Sequence, residues 1–518
     1  MGEIGGIKLK FDFFPNFESN HAGIAQPTAF HACNSRHRWV YKFMRIIILG
    51  AGQVGASVAE ALASEDNDIT VVDLSGALLA QLADRLDVRT VTGNAALPSV
   101  LESAGIRNAE MLVAVTQSDQ TNLVACKLAR NAFNVPTRIA RLRSADFHAD
   151  ELLLSDEMFA VSHAICPEQD ITDYISRLIE FPEALQVLEF AEGKATLVCM
   201  RAYEGGALVG KEIRTMRDHL PQGVDARIVA VFRSHQSVDP VGDTVIKAGD
   251  EVFLLAATRH IRLVLLELRR MQKPVKRIMI AGGGNIGARV AAELENDHEV
   301  KVIEKDIIRA EKIASRFDDT LVLCGEATDE NLLVQENIDE IDMFLALTND
   351  DEDNIMAASL AKRLGCKRVL ALINRHAYAE MVQAGPIDIV LSPAQISLGA
   401  LLSYVRRGDV ARVHSLRRGA AEALELIVHG TKSSSKVVGR RIDELPVIEG
   451  AHIGAILRTG AHVGVSDDGV PLTGSDGEVI IPHHDTVIEE NDHVVVFCTG
   501  KAQIPQVEKL FQAGFGFL

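Results

Sequence analysis

Arg45-Ile-Ile-Ile-Leu-Gly-Ala-Gly-Gln-Val-Gly55 returns 232 residues later as Arg277-Ile-Met-Ile-Ala-Gly-Gly-Gly-Asn-Ile-Gly287. Each copy opens with apolar residues, as a strand buried on both faces does, and continues through a glycine-rich turn into helical spacing. The first glycine permits the tight turn, the second lets backbone approach a pyrophosphate, and the third lets helix and strand pack closely. The helix N-terminus that follows offers unpaired N–H groups and the positive end of a dipole to phosphates. The repeat holds downstream: Gly93 matches Gly325, Val113-Ala-Val-Thr116 matches Leu345-Ala-Leu-Thr348, and Asn122 matches Asn354. Correspondence this long is duplication, and it sets the architecture.

Working outward, the first copy reads as strands Ile46–Leu49, Ile69–Val72, Arg89–Val91, Met111–Val115 and Thr137–Ala140, with helices starting near Val54, Ala77, Leu97 and Asp119. The second repeats them as Ile278–Ala281, Val300–Ile303, Thr320–Leu323, Met343–Leu347 and Val369–Leu372. Such alternation predicts a parallel sheet with helices on both faces. A strand- and turn-rich stretch follows each copy, and these are duplicated too: Val209-Gly-Lys-Glu-Ile213 matches Val438-Gly-Arg-Arg-Ile442, and Ala248-Gly-Asp-Glu-Val-Phe253 matches Glu490-Asn-Asp-His-Val-Val495. The expected fold is α/β: two tandem Rossmann-like, doubly wound parallel-sheet domains, each followed by a small α+β C-terminal lobe. Joints are expected at Phe181-Pro182 and Lys273-Pro274, where proline stops a helix, and near Arg406–Asp409. The expected division is 1–43, 44–181, 182–272, 273–408 and 409–518. Ser466–Gly477 reads as a hairpin insertion or loose loop.

Asp73 lies 23 residues after Gly50, at the end of the second strand, where a carboxylate accepts from both ribose hydroxyls and repels a 2′-phosphate. That favours NAD or a plain adenine nucleotide over NADP. Glu304 is its counterpart, one residue out of step. Thr116-Gln117 and Thr348-Asn349 end the fourth strands beside the crevice where open α/β sheets take ligands. Ser118-Asp119 and Asp350-Asp-Glu-Asp353 follow; acids there read as helix caps and dipole complements, with a metal site as the alternative. Arg141, at the end of the fifth strand, reads as a phosphate contact or a surface ion pair; the second copy has Ile373 there, so unequal sites are expected. His483-His484 reads as a surface pair rather than a ligand set.

Composition bounds the function. The chain has 518 residues, 47% hydrophobic and 24% charged, which is ordinary folded matter. A formal charge of −18 argues against binding a nucleic-acid backbone. No apolar run approaches the roughly 18–20 residues of a spanning helix, so a membrane role is expected only through a partner. Seven cysteines (Cys33, Cys126, Cys166, Cys199, Cys324, Cys366, Cys498) show no ligand spacing and suit a reducing cytoplasm. Residues 1–43 hold eight of the 25 aromatic residues without periodicity; they read as an upstream start or leader, or else as a docking segment.

From Met44 to Leu518 the chain resembles the TrkA family, cytoplasmic regulatory proteins of bacterial Trk potassium uptake systems. The resemblance rests on Ile46–Gly55, Ala191-Glu-Gly-Lys194, Arg277-Ile-Met, Gly282–Gly287, Asn349-Asp-Asp351, Leu416-Arg-Arg-Gly419 and the Phe-Leu terminus. It implies a nucleotide-sensing ring, expected to be a homotetramer, peripheral at the inner face of the membrane beneath an integral-membrane potassium-translocating subunit. It implies NAD(H) as ligand, and ATP or ADP as a second class. The implied contacts are Gly50, Ala51, Gly52, Gln53, Val54, Gly55, Asp73, Thr116, Gln117 and Arg141, and in the second copy Gly282, Gly283, Gly284, Asn285, Ile286, Gly287, Glu304, Thr348 and Asn349. An NAD-dependent oxidoreductase is the competing class, but neither lobe offers a recognisable proton-handling group. A soluble scaffold whose Rossmann halves only dimerise is a third.

Overall fold

The computed structural model describes residues 44–63, 67–147, 151–234, 236–268, 274–382, 385–405, 410–416, 421–458, 463–465, 471–473 and 477–512. The first half contains β1 (Arg45–Leu49), β2 (Asp68–Asp73), β3 (Arg89–Thr92), β4 (Met111–Ala114), β5 (Thr137–Arg141) and β6 (His163–Ile165). They form one sheet in the order β3-β2-β1-β4-β5-β6, with every pairing parallel. The first lobe follows with β7 (Ala184–Phe190), β8 (Ala195–Arg201), β9 (Ala226–Arg233), β10 (Gln236–Val238) and β11 (Glu251–Ala257), antiparallel in the order β10-β9-β11-β8-β7.

The second half repeats the parallel sheet with β12 (Arg277–Ala281), β13 (Glu299–Glu304), β14 (Leu321–Cys324), β15 (Met343–Ala346), β16 (Arg368–Leu372) and β17 (Ile389–Leu391), in the order β14-β13-β12-β15-β16-β17. The second lobe has β18 (Val410–Leu416), β19 (Ala421–Ile427), β20 (Ala451–Arg458), β21 (Val463–Val465), β22 (Pro471–Thr473), β23 (Glu478–Ile480) and β24 (His493–Cys498). Its main sheet runs β18-β19-β24-β20-β23, and β21 and β22 pair separately as an antiparallel ribbon. The ribbon's second strand lies within the stretch expected to be a hairpin or loop, Ser466–Gly477; residues 466–470 and 474–476 lie outside the described residues, as do residues 1–43, Lys273 of one expected joint and the expected joint at 406–409.

The apolar strands are apolar because both faces of each sheet are covered. Ile46 and Ile48 point into one core and Ile47 and Leu49 into another; Ile278 and Ile280, against Met279 and Ala281, do the same in the second half. Each half gains a sixth strand, β6 and β17, beyond the five that the pattern predicts. With three residues each, these are too short to show a period.

One helix leaves each half and packs on the other. Pro167–Glu180, which follows β6 and ends before Pro182, lies against Asn285–Leu294, the helix after the second glycine turn. There Ile171, Ile175 and Leu178 share a core with Val290, Ala291 and Leu294. Reciprocally, Pro393–Val405 packs on Gln53–Ala63, with Leu401, Leu402 and Val405 beside Val58, Ala59 and Leu62. At about 1.5–3 kcal/mol for each fully buried aliphatic side chain, as an upper estimate, this exchange ties the halves together firmly.

Candidate functional site

The two glycine turns have the same geometry. Gly50 has φ +108° and Gly282 has φ +102°, a left-handed region that suits glycine. Their N–H groups donate to Val72 O and Ile303 O, so each turn closes directly over the end of its neighbouring strand. A Cβ at Gly55 would stand 1.9 Å from Gly50 O, and one at Gly287 1.9 Å from Gly282 O, so the third glycine is needed for helix to meet strand. At Gly52 and Gly284 a Cβ would meet nothing within 4 Å. The second glycine is therefore not needed by the fold; it leaves open space over the turn. The first helical bonds run from Ala56 to Gly52 O and from Ala288 to Gly284 O. The N–H groups of Gln53, Val54 and Gly55, and of Asn285, Ile286 and Gly287, are the first-turn donors a phosphate would use.

Each strand-end acid is fastened to its turn. Asp73 Oδ2 accepts from Ala51 N at 2.7 Å and Oδ1 from Ser75 N at 2.7 Å. Glu304 Oε2 accepts from Gly283 N at 2.9 Å and Oε1 from Asp306 N at 2.9 Å. A carboxylate oxygen has two lone pairs, so each acid retains capacity for a ribose hydroxyl. Strand register makes them true counterparts: Arg45 pairs with Asp68 and Arg277 with Glu299, each acid five residues on. The sites differ in detail. Glu304 is 3% exposed and has Arg309 Nη1 at 3.4 Å, whereas Asp73 is half-buried.

Across the crevice, Thr116 and Thr348 are held by Asn122 and Asn354, and Gln117 and Asn349 are exposed beside them. The acids that follow are engaged in structure. Ser118 and Asp350 cap their helices, accepting from Thr121 N and Asp353 N. Asp119 Oδ2 accepts from the backbone of Arg143 and Ser144, and Asp351 does the same for Asn374 and Arg375. In the second lobe, His483 donates its N–H to Thr486 Oγ1 in the turn that carries the His pair.

Arg141 is turned toward an acid that the sequence reading did not single out. Its Nη2 lies 2.8 Å from Glu168 Oε1, and Arg143 Nε lies 3.4 Å from the same oxygen. Arg141 Nε and Arg143 Nε are buried donors with no hydrogen-bond partner, which suits them to an anion, while Glu168 Oε2 is a buried acceptor without one. The register corrects one equivalence. Met111 pairs with Thr137 and Met343 with Arg368, so the counterpart of Arg141 is Leu372, and Ile373 corresponds to Leu142. The link into β5 is one residue longer than the link into β16, which displaced the count. The sites remain unequal at this position. Arg289, from the second half's glycine helix, was also missed; its Nη1 donates to Gln169 Oε1 and its Nη2 to Arg143 O.

The TrkA-N domain family matches residues 46–167 and 278–393, and the TrkA-C domain family matches 198–268 and 431–512. The Trk system potassium uptake protein TrkA of Vibrio alginolyticus is 50% identical over 476 residues, covering 92% of this chain and all of its own. That of Halomonas elongata is 50% identical over 474 residues with the same coverage. Among solved structures, the GsuK RCK domain overlays with TM-score 0.56 at 18% identity, over 91% of this chain and 96% of its own. The GsuK channel bound to NAD gives 0.55 at 18% identity, over 91% and 79%. These two structures show a shared fold. The identities with full-length relatives and the tandem domain matches show that this chain belongs to the TrkA family of Trk system potassium uptake proteins, regulators of potassium transport rather than enzymes.

Proposed function

We propose that the chain is the nucleotide-sensing regulatory subunit of a Trk-type potassium uptake system. It binds NAD(H), and ATP or ADP, in its glycine clefts and thereby gates an integral-membrane potassium-translocating subunit. The observation that carries this reading is the open space over Gly52 beside an Asp73 carboxylate fastened to the same turn. Glycine without a structural need, next to a fixed ribose acceptor, is what a bound dinucleotide requires. In this reading residues 44–181 and 273–408 are the nucleotide-binding halves, and 182–272 and 409–518 are their lobes. Gly50 to Gly55, Asp73, Thr116, Gln117 and Arg141 form the first site; Gly282 to Gly287, Glu304, Thr348 and Asn349 form the second. The bound nucleotide supplies charge and shape, and no bond is made or broken.

A ligand moves a conformational equilibrium only through unequal affinity for two states. The exchanged helices give such a difference a route, because each joins one half to the glycine helix of the other. Among the described residues no helix is long and apolar enough to cross a membrane. From its membership of the TrkA family, the proposed location is the cytoplasm, peripheral to the membrane through the transporter, as a homotetrameric ring. The test is titration of the full chain with NAD, NADH, ATP and ADP, with Asp73→Asn alongside. Saturable binding that the substitution weakens by about tenfold or more supports the reading. Binding that Asp73→Asn leaves unchanged removes the ribose role, and no binding by any of the four removes the sensor.

A further inference from the structure

The Arg141–Glu168 pair is present or absent as a unit. In the first half Arg141 ends β5, and Glu168 lies in the first turn of the exchanged helix Pro167–Glu180. In the second half the register places Leu372 opposite Arg141. The matching helix begins at Pro393, which puts Ala394 opposite Glu168. Where one half has an ion pair the other thus has two apolar residues, both buried. A pair needed only for packing has no reason to differ in this way, since the apolar version seats the second helix equally well.

The ion pair is also incompletely bonded. Glu168 is 7% exposed, and one of its oxygens has no partner; neither has the Nε of Arg141 or of Arg143. A buried carboxylate that leaves its own bonding capacity unfilled, on an arginine at the ligand end of the sheet, occupies the place an incoming phosphate oxygen would take. The two anions cannot both sit on Arg141 at 2.8 Å without repulsion. The helix carrying Glu168 is coupled onward. Gln169, the next residue, accepts from Arg289 of the second half's glycine helix at 3.0 Å, and Ser176 donates to Glu293 of that helix at 2.7 Å.

We infer that Glu168 is an internal stand-in for nucleotide phosphate: it holds Arg141 in the unliganded chain, and phosphate displaces it, loosening the start of the exchanged helix. The inference rests on the nucleotide reading above and adds its transmission step. The second half, with Leu372 and Ala394, has no such release, so only the first site reports its occupancy by this route.

The experiment compares ADP with adenosine, which lacks phosphate, on the full wild-type chain and on Glu168→Gln, with hydrogen exchange of Pro167–Glu180 followed alongside. Removing the competing charge is expected to tighten ADP roughly three- to tenfold and leave adenosine unchanged. Exchange in the helix should rise on adding ADP to wild type and be raised already in unliganded Glu168→Gln. Equal or weaker ADP binding by a folded Glu168→Gln overturns the inference. Should that variant melt prematurely, Arg141→Leu/Glu168→Ala, which copies the second half, takes its place. It is expected to fold and to prefer ADP over adenosine by a smaller factor than wild type, since the glycine turns keep their N–H donors, and an undiminished preference for ADP overturns the inference. Wild type that binds none of the nucleotides sinks the functional reading itself; wild type that binds while the variants behave like it sinks only this step.

Discussion

Asn122 and Asn354, 232 residues apart, make the same four hydrogen bonds. Each Oδ1 accepts from the backbone N–H and the hydroxyl of the threonine two residues past the fourth parallel strand, Thr116 or Thr348. Each Nδ2 donates to that threonine's carbonyl and to a carbonyl at the end of the fifth, Arg141 O or Leu372 O. One amide thus ties together the ends of two paired strands beside the candidate site.

Both amides are fully buried, so Asn122→Ala leaves the Thr116 N–H without its acceptor and two carbonyls without a donor. The expected loss is about 2–4 kcal/mol of stability, read by chemical denaturation. Asn122→Asp, which keeps Oδ1 and loses the Nδ2 donor, should also weaken nucleotide binding by moving Thr116 and Arg141 apart. A variant of wild-type stability would show that the amide is replaceable by water.

Gly52 and Gly55 separate ligand from fold. Gly52→Ala adds a methyl group into open space, so its melting should match wild type within about 0.5 kcal/mol while NAD affinity falls. Gly55→Ala drives a Cβ into Gly50 O and should unfold the turn whether or not nucleotide is present. Calorimetry with and without NAD checks both. If Gly52→Ala binds like wild type, phosphate does not approach that backbone.

Much of the site was readable because its signals are local. A glycine turn between strand and helix and an acid at the next strand's end lie within 23 residues, and the duplication doubled each signal. Glu168 gave no such signal. An acid in a helix's first turn looks like an ordinary dipole complement, and its partner Arg141 lies 27 residues back on another element. Arg289 was less visible still, since it meets the first half only because two helices are exchanged. Helix exchange leaves no period in the sequence: the apolar face of Pro167–Glu180 reads the same whichever half covers it. The one-residue error at Ile373 has the same origin, because a loop-length change shows only once strand pairing is known.

His414 gives the folded chain an acid-sensitive contact. It is half-buried between the lobes, edge-on to Phe190, and donates Nε2–H to Glu189 O at 3.1 Å. Burial pushes its pKa down to about 4, against a usual 6.5. The unfolded chain therefore takes up a proton between those values that the folded chain refuses. Stability contributed by the neutral ring is whole above about pH 6.5 and drains as pH falls toward 4, by roughly 1 kcal/mol between pH 7 and 5.5. His414→Gln should be less stable at pH 7 and should lose this part of the pH dependence, as followed by urea denaturation at several pH values. An unchanged slope would assign the acid sensitivity to other groups.

Asp250 and Asp492 are the matched anchors of the two lobes. Asp250 accepts from Arg233 Nε at 2.8 Å and Nη2 at 2.7 Å, and from Lys247 N at 2.8 Å. Asp492 accepts from Arg458 Nε at 3.0 Å and Nη2 at 2.9 Å, and from Glu489 N at 2.7 Å. Each fastens the turn entering a central strand, β11 or β24, whose preceding residue, Gly249 or Asn491, has positive φ. Both acids are 1% exposed, while their arginines are about a third exposed, so the pairs sit at a boundary rather than in a dry core. Either Asp→Ala variant strips a guanidinium and a backbone N–H of their acceptor and is expected to cost about 2–3 kcal/mol. Arg233→Lys and Arg458→Lys should recover little, since an ammonium cannot match the two-pronged contact. Burial pushes the Asp250 carboxyl up, but the bonds from Arg233 and Lys247 pull it further down, leaving it below the usual range. Its contribution is thus complete above the usual carboxylate pKa and lost as pH falls below it. Asp250→Ala should narrow the gap to wild type in acid and keep it at pH 7; a gap that does not vary with pH would mean that packing, rather than charge, holds the turn.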